Sequence, residues 1–310
     1  MAAADSNPAG GQAQSGAAAV DRAGLFAAFL AYGFWGFLPL LFHMLEGVEA
    51  ALIVAHRTLW SLVLVGVIIV LGRRRAELAA ALRDRRAVRT LVLSALLLAA
   101  NWLLYVWAVE TGQVLEASFG YFINPLVNVA IGMVFLGERQ NLWQGVSIAI
   151  AAVGIAVQAI GVGGVPFIAL GLAVSFGFYG FSRKTVQVES TTGLFIETLV
   201  LTPLALLYIG HSLATHGAGI HEDPRLVALL LATGPATALP LLLFAFAVRR
   251  LRLTTIGMLQ YLAPSLQFLL AITYFGEALT PIRLVSFALI WISLAVFTAD
   301  SLRRRARSAP

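Results

Sequence analysis

The chain has 310 residues, of which 60% are hydrophobic and 12% charged, with a formal net charge of +6 and no cysteine. Soluble domains carry roughly 25% charged residues, so this composition excludes a large water-soluble core, and the missing thiols exclude disulfides and cysteine-ligated metals. The positive charge lies in clusters between apolar stretches and at the C-terminus. That pattern orients a protein in a bilayer and does not point to nucleic acid.

Residues 1–22 are rich in Ala, Gly, Gln and Ser and lack the basic start and apolar centre of a signal peptide. They read as a disordered N-terminal tail. Ten apolar segments follow, each near the length of about 20 residues that crosses hydrocarbon as a helix. They lie at about 23–43, 51–71, 88–109, 116–136, 142–160, 165–182, 193–211, 225–247, 254–275 and 281–300. The longest connections are the arginine-rich stretch Arg73–Arg89 and the polar stretch Gly210–Pro224. Two halves result, 23–160 and 165–300, and residues 301–310 form a basic tail.

Ten spans put both termini on one side. That side collects Arg22, the arginines of 73–89, Arg139, Arg183, Lys184, those of 249–252 and those of 303–307, leaving only Arg57, Arg225 and Arg283 elsewhere. This bias predicts a multi-pass protein of the bacterial inner membrane with both termini in the cytoplasm.

A motif recurs in the two halves. Tyr121-Phe122-Ile123-Asn124-Pro125 leads to Gly137-Glu138, and Gln260-Tyr261-Leu262-Ala263-Pro264 leads to Gly276-Glu277, so each proline and each glycine has a counterpart 139 residues later. The aromatic-glycine string from Tyr32 to Phe37 has a similar counterpart from Phe176 to Phe181. Five spans per half is an odd number, so the second half enters the bilayer from the opposite face. The predicted fold class is an all-α polytopic membrane protein of ten helices arranged as two inverted five-helix repeats.

Proline inside a helix removes one backbone hydrogen bond. Pro125 frees the carbonyl of Tyr121, and Pro264 frees that of Gln260. In hydrocarbon such groups need protein or a wet cavity, so a central cavity is expected between helix kinks at Pro125 and Pro264. Tyr121, Asn124 and Asn128 share one helix face. Gln260, Tyr261, Pro264 and Gln267 lie near one face of the other helix. These polar stripes suit either a hydrogen-bonding substrate or helix adhesion. Asn101 with Trp102, together with Trp35 and Tyr179, form candidate pocket walls. Gly33, Gly36, Gly177 and Gly180 are expected to let helices approach closely.

Arg57 lies about two turns into the second span, where burial of an arginine costs about 2.5–3.5 kcal/mol on the insertion scale. It needs an acid or an anionic ligand. Glu116 is the candidate partner in a charge pair or outer gate, and snorkelling of Arg57 to the interface is the alternative. Glu197, about one turn inside the seventh span, reads as an interfacial residue held near water.

There is no HExxH, GxSxG or P-loop pattern, and a lone His56 inside a span makes no metal site. The expectation is therefore no enzyme and no cofactor. Without a nucleotide motif, transport by this chain is facilitative or coupled to an ion gradient, with a proton as the candidate ion.

The chain resembles RarD-type proteins of the EamA family, in the drug/metabolite transporter superfamily, from Gly24 to about Ala299. The resemblance is carried by the Tyr32–Phe37 string, His56-Arg57-Thr58-Leu59-Trp60-Ser61, Asn101-Trp102-Leu103-Leu104-Tyr105 and Glu116-Ala117-Ser118-Phe119-Gly120-Tyr121. It continues through Asn124-Pro125-Leu126, Ser175-Phe176-Gly177-Phe178-Tyr179-Gly180, Arg183-Lys184, Glu197-Thr198-Leu199 and Leu259-Gln260-Tyr261. It implies a cavity lined mainly by spans one, three, four, six, eight and nine. It also implies a membrane transporter that exports a small metabolite, amino acid or drug-like solute by alternating access. A non-transporting sensor or assembly partner on the same fold is the alternative reading. Ala263 stands where the first repeat carries Asn124, so the expected site is asymmetric.

Overall fold

The computed structural model describes residues 21–136, 141–217, 222–248, 250 and 259–308. The expected tail at 1–20, the Gly137-Glu138 end of the first motif and the side chains of Pro125 and Asn128 lie outside the described residues. Those described form α1 (Arg22–His43), α2 (Ala50–Leu71), α3 (Arg75–Arg83), α4 (Arg85–Glu110), α5 (Val114–Leu136) and α6 (Leu142–Val162). They continue as α7 (Phe167–Thr185), α8 (Ser190–His216), α9 (Pro224–Val248), α10 (Leu262–Thr273) and α11 (Pro281–Ser308), with no strand among them.

Seven of these helices contain stretches long and apolar enough to cross a membrane: α1, α2, α4, α6, α8, α9 and α11. Helices α7 and α10 supply shorter apolar segments. The protein is a multi-pass membrane protein. Many large apolar side chains face outward, such as Leu71, Leu142 and Ile160. In a lipid environment that exposure carries no penalty.

Local chemistry sets the helix ends. Asp21 accepts the Gly24 amide at the start of α1, and Asp84 accepts the Arg86 and Ala87 amides at the start of α4. Asn141 and Gln144 form a reciprocal capping box on α6, whose C-cap is Gly163 at φ 76°. Pro224 and Pro281 occupy the first positions of α9 and α11, where a missing amide costs nothing.

Two stretches differ from the expected connections. The arginine-rich Arg73–Arg89 region contains α3, because Ala, Leu, Glu and Arg are all strong helix formers. Its Ala81 is buried with Leu91 and Ile196, and its Glu77 accepts a 2.7 Å hydrogen bond from Thr192 on α8. At the other end, α11 runs on to Ser308 through the basic stretch. Positive charge near a helix C-terminus favours the dipole.

The helices pack mostly across the two halves. The dominant contacts are α2 with α8, α6 with α11, α5 with α7, α1 with α9, α2 with α9, α4 with α7, α1 with α10 and α5 with α10. A continuous core runs through these contacts, with Phe42, Phe119, Ile168, Leu172 and Phe287 fully buried. Gly36 meets Leu266 across α1 and α10, where an added Cβ would come within 2.6 Å. Gly33 and Gly180 meet nothing within 4 Å, so these two glycines are not at the close contacts expected of them.

Candidate functional site

Packing between the halves leaves a central cavity of about 640 Å³, a size suited to a small organic molecule. Helices α1, α2, α4, α5, α7, α8, α9 and α10 all contribute to its wall. The lining extends from Arg57, Thr237 and Gln267 to Arg183 and the exposed Ser190 at the α7–α8 turn.

Among the residues singled out in the sequence, Trp35, Arg57, Asn101, Tyr121, Asn124, Tyr179, Gln260, Pro264 and Gln267 line this cavity. Their situations differ. Asn101 is fully engaged: its Nδ2 donates to the Leu172 carbonyl and to Ser175 Oγ, both at 3.0 Å, and its Oδ1 accepts from the Tyr121 hydroxyl at 3.3 Å. It ties α4, α5 and α7 together. Gln267 donates from Nε2 to the Trp35 carbonyl at 3.0 Å, while its Oε1 is buried without a partner. Asn124 is only 1% exposed, and neither of its amide atoms has a partner.

Trp35 belongs to a three-ring cluster with Tyr32 and Phe244, whose centroids lie 5.5–6.0 Å apart. Tyr261 is not in the lining; its ring stacks on Phe122 at 6.4 Å, within the core. The helical chain is interrupted at Tyr261, one turn before Pro264, so Gln260 sits at the break. The Pro264 carbonyl accepts a 2.8 Å hydrogen bond from Ser118 on α5. Pro39, Pro203, Pro235 and Pro240 also lie inside helices, so a proline within a span is not by itself a mark of the cavity here.

The pairing considered for Arg57 and Glu116 is not formed. Arg57 Nε donates to Thr237 Oγ1 at 2.6 Å, and the guanidinium lies over the Trp102 ring at 4.2 Å. Nor does Arg57 snorkel outward: it is 4% exposed. Glu116 lies instead against the backbone amides of Ile168 and Ala169 at the start of α7. A neighbouring contact repeats this chemistry. Glu277 accepts the Val114 amide at 2.6 Å and the Leu115 amide at 3.1 Å at the start of α5. Both carboxylates complement a helix N-terminus.

Sequence reasoning missed a second polar cluster. Glu197 is 0% exposed, not interfacial. It accepts a 2.5 Å hydrogen bond from Ser94 on α4 and faces Arg183 on α7 at 3.5 Å. Arg183, read as a loop charge, thus reaches from the cavity wall into the bundle. The partners lie 14 and 103 residues from Glu197, too far for helical spacing to reveal them. Tyr32, Tyr105 and Thr237 of the lining were not singled out either. Tyr32 stood within a noted motif, whereas Thr237 carried no signal of its own.

A helical bundle enclosing a polar-studded cavity defines the class as a multi-pass membrane protein, and comparison with known proteins gives the family. Residues 22–159 match the EamA-like transporter family. The chain is 43% identical over 292 residues to a Vibrio cholerae protein named "Uncharacterized transporter", covering 92% of this chain and 97% of that one. It is 42% identical to Protein RarD of Escherichia coli, covering 93% and 98%. It is 32% identical to the Chloramphenicol-sensitive protein RarD of Pseudomonas aeruginosa, covering 87% and 92%. A solved crystal structure at 20% identity shares the fold with a TM-score of 0.60, covering 92% of this chain and 99% of that one. The chain belongs to the EamA-like transporter family, as a RarD-type member of the drug/metabolite transporter superfamily.

Proposed function

We propose that the protein is a secondary or facilitative transporter that exports a small metabolite, amino acid or drug-like solute across the bacterial inner membrane by alternating access. The observation that carries this reading is the central cavity, built from both halves and lined by buried polar atoms of Arg57, Asn124 and Gln267 that have no partner in the protein. Such atoms are costly unless a ligand or water satisfies them.

The packing pattern supports an inverted repeat. If α1, α2, α4, α5 and α6 correspond to α7, α8, α9, α10 and α11, then α2–α8, α5–α10 and α6–α11 are contacts between equivalents. The pairs α1–α9 and α4–α7, and likewise α5–α7 and α1–α10, exchange under the same operation. In this reading Tyr121, Asn124, Gln260 and Gln267 contact substrate, with Trp35 and Tyr179 as walls and Asn101 as a brace. Tyr261 supports the wall from behind, and Asn128 is a further proposed contact. Arginine distribution puts the α7–α8 turn and both termini in the cytoplasm, so the cavity, which reaches Ser190, opens inward. Glu116 and Glu277 then close the outer end. No ATP-binding motif is present in the sequence, and a proton gradient is the candidate driving force.

Flux into proteoliposomes tests this reading. Substrate moved by wild type and not by Asn124→Leu, with the variant inserted and folded, is the expected result. Binding without flux would favour a sensor. Equal flux by the variant would remove Asn124 from the site.

A further inference from the structure

We propose that the cavity takes an organic monoanion, a carboxylate carried on a flat apolar body, with the carboxylate held by Arg57. This deepens the transport reading of the cavity and rests on it.

Arg57 is the least balanced charge in the site. Its Nε is satisfied by Thr237 Oγ1 at 2.6 Å, and the Thr237 hydroxyl in turn donates to the Thr233 carbonyl at 2.8 Å. One face of the guanidinium lies over Trp102, and Phe42 stands 5.6 Å away. Those contacts hold the group in place but carry no negative charge. Nη1 is buried and unpartnered. The described lining contains two cations, Arg57 and Arg183, and no Asp or Glu. Arg183 faces Glu197, so the excess positive charge in the cavity belongs to Arg57. Guanidinium cannot shed its proton in response. An anion arriving in the cavity is the remaining way to balance it.

The surroundings narrow the class of anion. One unbalanced cation matches one negative charge, whereas a phosphate dianion would leave surplus charge among apolar walls. A carboxylate oxygen accepting from Nη1 leaves the Thr237 bond intact. Tyr105 and Tyr121 lie within electrostatic reach of Arg57, and the buried Tyr105 hydroxyl has no partner, so it can donate to the same ligand group. The Tyr32, Trp35 and Phe244 rings provide an apolar surface for a flat body. The unpartnered amide of Asn124 offers both a donor and an acceptor for a neutral polar substituent.

The test uses the full chain in lipid nanodiscs and isothermal titration with matched probes. Benzoate and indole-3-acetate are compared with benzamide and indole-3-acetamide, and benzylamine and benzyl phosphate complete the set. Each carboxylate should bind about tenfold or more tighter than its amide. Arg57→Gln should erase that ratio, and Arg57→Lys should keep part of it. The melting temperature of each variant checks folding, and the wild-type ratio stands without any variant. Equal binding of acid and amide, preference for the amine or the phosphate, no carboxylate binding, or a ratio retained in a folded Arg57→Gln would each overturn the assignment. Flux of labelled indole-3-acetate is measured separately in proteoliposomes. Carboxylate preference without flux of any probe removes the transport reading and leaves the site standing. Flux of neutral probes with no carboxylate preference removes the site and leaves transport standing.

Discussion

Ser147 and Ser293 exchange hydrogen bonds: each hydroxyl donates to the other residue's backbone carbonyl at 2.7 Å. The two residues sit on α6 and α11, the last helices of the two halves, and both are fully buried. The reciprocal pair ties α6 to α11 through two separate hydroxyls. Ser286 adds a 2.7 Å bond to Gln158 along the same seam, and Gly154 and Gly161 let the backbones approach.

Removing this exchange should loosen the seam by a small, measurable amount. Interhelical hydrogen bonds in membranes average about 0.6 kcal/mol, with a maximum near 1.7. Ser147→Ala and Ser293→Ala should each lower unfolding free energy by about that amount in a mild denaturing detergent. The double variant should lose about the sum, since each bond uses a different hydroxyl. Gly161→Leu should cost more, because even a Cβ there would meet Ile282 at 2.7 Å. A Gly161→Leu protein as stable as wild type would contradict the close packing of α6 on α11.

The carboxylate of Glu277, in the α10–α11 turn, accepts the first amides of α5. Glu277→Ala leaves the Val114 and Leu115 amides without their acceptor, and loss of a helix cap costs about 0.5–2 kcal/mol. The effect should depend on pH. Burial lifts the Glu277 carboxyl above its ordinary value of 4.5, and Glu116 pushes the same way, against the pull of the two amides and of Arg283. An acid whose folded pKa is raised holds its proton more firmly when folded. Its protonated form therefore contributes to stability, fully below the unfolded pKa, and that contribution is lost as pH rises through the raised value. The melting temperature of wild type, relative to Glu277→Gln, should fall as pH is taken from about 4.5 to 7. A difference that grew with pH would reverse the sign of this argument.

The seven long apolar helices were legible because crossing hydrocarbon imposes about 20 apolar residues on each span, and a composition constraint survives without knowledge of any partner. The cavity was partly legible for the same reason. Polar residues such as Asn101, Asn124 and Gln267 are rare inside spans and stand out wherever they point. What stayed hidden were the pairings. Arg57 could be flagged as costly, but its partner Thr237 lies 180 residues away on α9 and is an ordinary residue by type. Glu197 and Arg183 were each assigned to water because each lies near the end of a span. Depth along a helix is readable from sequence, while the neighbour that turns an end into an interior is set by packing.

The Arg183–Glu197 pair yields a prediction of its own. Breaking a buried pair from one side leaves an uncompensated charge and costs about 3–5 kcal/mol. The Arg183 side chain is 15% exposed and that of Glu197 1%, so the lone carboxylate should be the worse of the two remnants. Arg183→Ala should reduce the folded, monodisperse fraction in size-exclusion chromatography more than Glu197→Ala. The double variant should recover much of the loss. A double variant no better than Arg183→Ala would mean that the two charges do not compensate each other. Gly193→Ala should act in the same direction, since its new Cβ would overlap the Arg183 guanidinium and displace it.

Gly120 offers the sharpest test of how the cavity wall is held. An added Cβ there would lie 2.7 Å from the Ala169 carbonyl oxygen and 2.9 Å from its Cα. Both are backbone atoms, so no side chain can swing aside and α5 must move away from α7. These helices carry Tyr121 and Asn124 on one side and Phe176 and Tyr179 on the other. Overpacking of a tight contact costs about 1–3 kcal/mol, and the separation also strains the Asn101 brace, which holds both helices. Gly120→Ala should therefore lower the melting temperature and weaken solute binding together. Gly33→Ala is the matched control, because its Cβ meets nothing within 4 Å, and it should leave both measurements unchanged. If Gly120→Ala melted and bound like Gly33→Ala, α5 and α7 would not be in the contact that shapes this wall.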